Sequence, residues 1–144
     1  WLSQGHVVLL DRYVYSNIAF QCAKQKTDME RSALRDWIFK LEFDYFRIPK
    51  PDLNIFLDVP FEFTKTRLTE QRSGDDRGYL QGKDDIHEKD LSFQERVRKV
   101  YLEQESIDYC FKVIKCNTPD GQMQKPNEIF AKIMEAIEVH GLLK

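Results

Sequence analysis

Residues 7–21 read V-V-L-L-D-R-Y-V-Y-S-N-I-A-F-Q. Four apolar residues, Val7, Val8, Leu9 and Leu10, run without alternation and break abruptly into Asp11-Arg12. A run of this kind predicts a strand buried on both faces, as in a parallel sheet covered by helices. In such sheets ligands bind beyond the carboxyl ends of the strands, which is where Asp11 and Arg12 emerge. A carboxylate and a guanidinium side by side there suit a cation and a phosphate. Ser16, Asn17 and Gln21 follow with neutral hydrogen-bonding groups. With Phe20 they sit three or four residues apart, which predicts one shared face on a helix over residues 13 to about 24. Asp11-Arg12 as a bare dipeptide fits a surface ion pair at a helix start better than a binding site; the whole string is what carries information.

Further along, Thr27-Asp28-Met29-Glu30 has capping-box spacing. Leu34, Trp37, Ile38, Leu41 and Tyr45 then recur at helical intervals, and Pro49 and Pro51 are expected to stop that helix. Its aromatic density (Trp37, Phe39, Phe43, Tyr45, Phe46) exceeds what one buried stripe needs, leaving core and a dimer face as alternatives. Residues 53–59 predict a second buried strand ending at Asp58. Pro60 suits the first turn of a helix carrying Phe63, Thr64, Arg67 and Leu68. From 73 to 90 the chain turns polar and acidic, with Arg77 among the charges, and reads as a mobile excursion. A helix over about 91–107 places Phe93, Val97, Val100 and Tyr101 on one face. Residues 111–115 predict a short strand, Pro119-Asp120-Gly121 a turn, and Pro126-Asn127 opens a last helix. Ile129, Phe130, Ile133, Met134 and Ile137 form its expected buried stripe, with Gly141 as its stop. Alternating strands and helices signal a layered α/β fold, and 144 residues suit one domain.

The string D-R-Y-x-x-S-N-x-A-F-Q from Asp11 to Gln21 resembles the nucleoside-monophosphate signature of the thymidylate kinase family. Ile48-Pro49-Lys50-Pro51-Asp52-Leu53, followed by Asn54-Ile55-Phe56-Leu57-Asp58-Val59, resembles the family's P-D-L strand. Phe93-Gln94-Glu95-Arg96-Val97-Arg98 leading to Tyr101 resembles the helix after its lid. The blocks stand in the family's order, and the resemblance covers essentially the whole chain. It implies an α/β, three-layer parallel sheet of the P-loop nucleoside-monophosphate kinase type. The implied activity is phosphorylation of dTMP to dTDP by ATP with Mg²⁺, in a cytoplasmic homodimer.

By the same resemblance Arg12 holds the acceptor's monophosphate and Asp11 lies near the magnesium, acting through metal-bound water rather than as a direct ligand. Ser16, Asn17 and Gln21 line the thymidine pocket, and Phe20 stands near the sugar, where a ring leaves no room for a ribose 2′-hydroxyl. Core packing is the alternative for Phe20. Arg67 resembles a helix arginine that packs on the donor's adenine. Arg72 and Arg77 fall at the lid, residues 73–90, where they would meet the transferring phosphate oxygens; some family members carry that arginine in the P-loop instead. Glu88 and the block from Phe93 to Arg96 would support the lid, although a solvated helix face explains Glu95 and Arg98 as well.

The chain contains no G-x-x-x-x-G-K-[ST] loop for donor phosphates. Gly78-Tyr79-Leu80-Gln81-Gly82-Lys83-Asp84 is the nearest string, but its glycines are too close, Asp84 replaces Ser/Thr, and no strand precedes it. In the resembled family the loop precedes the D-R block, so the chain is expected to correspond to the C-terminal part of such a kinase, inactive alone. The family's sheet order, 2-3-1-4-5, then sets an absent strand between two that are present. The resulting open edge predicts that residues 1–144 alone do not make a stable monomer. The rivals are a deoxynucleoside kinase and a non-catalytic relative that binds nucleotides or serves as a dimer partner. A net charge of −2 argues against a general nucleic-acid binder. No apolar run is long enough to span a membrane, no signal peptide is visible, and Cys22, Cys110 and Cys116 lack metal-ligand spacing, fitting reduced thiols in the cytosol.

Overall fold

Helix α1 (Val14–Cys22) packs through Val14, Tyr15, Ile18, Ala19 and Cys22, a stripe recurring every three or four residues. The computed structural model describes residues 1–69 and 91–142, and the chain divides into two units, Trp1–Pro49 and Lys50–Lys144. In the first unit α1 faces α2 (Asp28–Phe39). Ile18 is fully buried, which contributes roughly 1.5–3 kcal/mol. Tyr15 meets the edge of Phe39, with ring centroids 5.4 Å apart, and Phe39 stacks on Phe43 at 5.7 Å.

The capping box opens α2 as expected. Thr27 Oγ1 accepts the Glu30 N–H at 3.2 Å, and the Glu30 carboxylate accepts the N–H groups of Thr27 at 3.0 Å and Lys26 at 3.2 Å. These bonds, the Thr27 N–H first, hold the Glu30 carboxyl below its usual range. The folded state therefore favours the charged form. That stabilisation is present above the unfolded-state pKa and is lost as pH falls through the lowered folded value. The Thr27 amide resonance is expected to titrate with a midpoint below that of an ordinary glutamate; a midpoint at or above it would contradict the cap.

Three expectations for this unit change. Residues 7–10 form no strand and belong to no sheet among the described residues, and they are exposed, Leu9 at 94%. An apolar run records hydrophobicity, whereas a strand requires hydrogen-bond partners on another segment. The helix after α2 does not run on to the prolines; it widens into a π-helical segment, Lys40–Tyr45. The Phe46 N–H bonds Leu41 O at 2.9 Å, the Ile48 N–H bonds Glu42 O at 3.2 Å, and Arg47 between them takes a left-handed φ of 54°. This left-handed closure ends the segment before Pro49 is reached. Of the expected stripe and aromatic cluster, Ile38 is buried and Leu34, Phe39, Leu41 and Phe43 are half-buried. Trp37, Tyr45 and Phe46 are exposed.

The second unit is layered. Strands β1 (Asn54–Asp58) and β2 (Phe111–Lys115) pair in parallel, Asn54 opposite Phe111 and Asp58 opposite Lys115. Helix α3 (Phe61–Thr69) follows β1, with Pro60 one place before its first turn, its carbonyl accepting the Phe63 and Thr64 N–H groups. Helix α4 (Leu91–Ile107) covers one face of the sheet, buries Phe93, Val97, Val100 and Gln104, and lays Tyr101 on Phe56 at 4.4 Å. The Glu105 carboxylate accepts the Val113 N–H at 3.0 Å, covering the ladder's outer edge. Helix α5 (Pro126–Val139) covers the other face, its Ile129 packed with Ile114, Cys116 and Ile55.

Pro126 is the first helical residue of α5. Gly141, at φ 64°, completes a Schellman closure in which the N–H groups of Gly141 and Leu142 bond Glu138 O and Ile137 O. Phe130 departs from the expected stripe and is exposed, because it lies about 100° round the helix from Ile129. β1 is also less buried than expected: Leu57 is exposed and Asp58 is its buried residue. Among the described residues no helix is long and apolar enough to cross a membrane. The lid expected at 73–90, and with it Arg72 and Arg77, lies outside the described residues.

Candidate nucleotide-binding site

Tyr13 is the N-cap of α1 and makes no side-chain cap, and no acid occupies the first turn. The positive end of the helix dipole thus meets neither a side-chain cap nor an acid within its own first turn. The Tyr13 hydroxyl donates to Pro49 O at 3.1 Å, tying the turn to the end of the same unit. Immediately before it Arg12 adopts φ 69°, in the left-handed region. Such a conformation costs a non-glycine residue roughly 1–2 kcal/mol, and outliers of this kind gather at functional sites. The Arg12 guanidinium lies over the Phe20 ring, 5.5 Å from its centroid. Arg12 is exposed and has no carboxylate partner among the described residues.

Ser16, Asn17, Phe20 and Gln21 all fall on α1 away from its buried stripe, Ser16 and Phe20 half-buried, Asn17 and Gln21 exposed. The shared face read from their spacing is therefore the face present. The side chains of Ser16 and Asn17 have no hydrogen-bond partner among the described residues. Gln21 differs: its Oε1 accepts from Lys24 Nζ at 3.3 Å, so one acceptor is already engaged. Asp11 is exposed and bonds neither Arg12 nor any other described residue, so the surface ion pair that the dipeptide allowed does not form. Arg67 lies on α3, with its side chain outside the description.

Sequence reasoning missed one feature of the second unit. At the carboxyl end of β1, Asp58 receives a two-pronged ion pair from Arg98 on α4, Nε to Oδ1 at 2.5 Å and Nη2 to Oδ2 at 2.8 Å. Arg98 is thus engaged with the sheet and not merely part of a solvated helix face. An acid ending an otherwise apolar strand was the signal available, but its partner stands 40 residues away. Beside it Cys116 is fully buried. Burial pushes its thiol pKa up; Lys132 opposes that and Asp58 adds to it. The buried thiol is accordingly poorly suited to act as a nucleophile.

One unit holds a parallel sheet with helices on both faces, and the other holds an Asp-Arg turn that opens a helix with Ser16, Asn17 and Gln21 off its buried stripe; both are features of the P-loop nucleoside-monophosphate kinase fold. The sequence profile of the family described as thymidylate kinase matches residues 1–127. A thymidylate kinase of Mycobacterium tuberculosis is 35% identical over 103 residues, which is 71% of this chain and 46% of that protein. One from Leuconostoc citreum is 34% identical over 122 residues, 82% of this chain and 50% of that protein. One from Leuconostoc mesenteroides is 33% identical over 108 residues, 73% of this chain and 43% of that protein. The chain belongs to the thymidylate kinase family and spans about half the length of these curated relatives.

Proposed function

We propose that the protein phosphorylates dTMP to dTDP with ATP as donor. One observation carries this above the others: Arg12, free of carboxylate partners among the described residues, stands at the uncapped head of α1 in a strained left-handed conformation. A guanidinium forks onto two oxygens of a phosphate, and here no ion pair with a described residue has to be broken first. Ser16 and Asn17, with the amide donors of Gln21, face the pyrimidine edge, whose carbonyls accept and whose N3–H donates. Phe20 sits beside the sugar and excludes a 2′-hydroxyl. Arg67 serves the donor, and Arg72 and Arg77 meet the transferring phosphate. Donor phosphates call for a glycine-rich loop, which in this proposal lies outside these 144 residues.

Mg²⁺ belongs to the same proposal. Its habit is to keep several waters and take one or two carboxylates. The carboxylate of Asp11, exposed and without a partner among the described residues, fits that role through a metal-bound water. Among the described residues no group of three or more His, Cys, Asp or Glu forms a closed cage. When bound, the ion supplies neutralisation of phosphate charge. Transfer itself needs positioning more than covalent help, and positioning is what Arg12 and the outer face of α1 provide. The proposal also includes a homodimer, with exposed Trp37, Tyr45 and Phe46 at its face, and a cytoplasmic setting that keeps the three cysteines free.

The test is an assay of the full-length protein with ATP and Mg²⁺, offering dTMP or thymidine as acceptor. Phosphorylation of dTMP and not thymidine is expected. Phosphorylation of thymidine in its place would make the protein a deoxynucleoside kinase, and turnover of neither would leave a non-catalytic relative.

A further inference from the structure

Phe20 follows Ser16 by one helical turn on the outer side of α1 and is half-buried. The Arg12 guanidinium carbon stands 5.5 Å from its ring centroid. A cation within about 6 Å over an aromatic face is attracted by the ring's quadrupole. This contact differs from an ion pair in one respect that matters for binding. A carboxylate would occupy the N–H donors of the guanidinium, whereas a ring attracts the charge and leaves them unspent. The backbone adds a second feature: Arg12 takes a left-handed φ of 69°, and the next residue, Tyr13, is tied through its hydroxyl to Pro49 O at 3.1 Å.

We propose that Phe20 is a positioning residue for Arg12: its ring holds the guanidinium ready while the N–H groups stay open to a phosphate monoester. This rests on the reading of Arg12 as the grip on the acceptor's phosphate. It assigns to Phe20 a task separate from excluding a 2′-hydroxyl, because a bulky aliphatic side chain would fill the same space without attracting a cation. The effect belongs to the phosphate alone. Loss of the ring therefore weakens a nucleotide more than the matching nucleoside, which a purely steric or packing role does not do.

The experiment is calorimetric titration of the full-length protein with dTMP and with thymidine. Wild type is expected to bind dTMP more tightly. Phe20→Leu should shrink the dTMP-to-thymidine affinity ratio about two- to five-fold, the range for an exposed cation–π contact, and Phe20→Tyr should restore it. In an Arg12→Ala background Phe20→Leu should leave the ratio where it is, since the group it positions is gone. Phe20→Met carries the same expectation should the leucine variant not fold. A ratio unchanged by removing the ring, or a loss shared equally by both ligands, overturns the positioning role. A wild-type ratio near one overturns the assignment of Arg12 itself, and the positioning role with it.

Discussion

Replacing Arg12 by alanine is expected to lower kcat/KM for dTMP about 100-fold in the full-length protein. A hydrogen bond to a charged group contributes roughly 1.5–3 kcal/mol. A two-pronged guanidinium grip therefore reaches about 3 kcal/mol, and each 1.36 kcal/mol is a factor of ten in rate. Steady-state kinetics divide the effect. A rise in KM alone means that Arg12 grips substrate and transition state equally, while an equal fall in kcat and kcat/KM means a grip realised only in transfer. Arg12→Lys should recover part of the loss, because it returns the charge and not the planar fork. Near-normal dTMP kinetics in Arg12→Ala would refute the assignment.

Arg12→Gly provides the structural control. Position 12 has φ 69°, a region glycine enters without the penalty other residues meet. Arg12→Gly should be as slow as Arg12→Ala and more stable than it by about 1 kcal/mol. If the two variants melt alike, the left-handed turn is not maintained in solution.

Arg98→Ala is expected to cost about 2 kcal/mol of unfolding free energy. The Asp58 side chain is 7% exposed and that of Arg98 44%. Removing the partner of a fully buried charge costs roughly 3–5 kcal/mol, and the half-exposed arginine brings the figure down because water already reaches the pair. Urea unfolding should show a lower midpoint with unchanged slope. Asp58→Leu/Arg98→Leu should recover much of that loss, since no stranded carboxylate remains. A change below about 0.5 kcal/mol in Arg98→Ala would place the pair with ordinary surface salt bridges.

Legibility varied with the range of the interaction. The α2 capping box, the first-turn proline of α5, the closing Gly141, and the extent of α4 all depend on residues within a few positions of one another. Each was visible in the string. So was the common face of Ser16, Asn17, Phe20 and Gln21, which follows from 3.6 residues per turn once α1 exists. Phe130 and Leu57 were misread because hydrophobicity does not say which side of an element another one covers. Trp37 and Tyr45, in the helical stripe by spacing, are exposed for the same reason. The widening into the π-helical segment Lys40–Tyr45 left no compositional trace.

The sequence by itself determined the class of fold, the helix that carries the proposed binding face, and the arginine at its head, because periodicity and local hydrogen-bonding chemistry are written in neighbouring residues. Only the tertiary structure decided that Arg12 turns left-handed onto Phe20, that Arg98 reaches Asp58, and that residues 7–10 stay outside any sheet among the described residues. Those outcomes depend on which distant group arrives alongside, and a side chain's partner across space has no signature in its own neighbourhood.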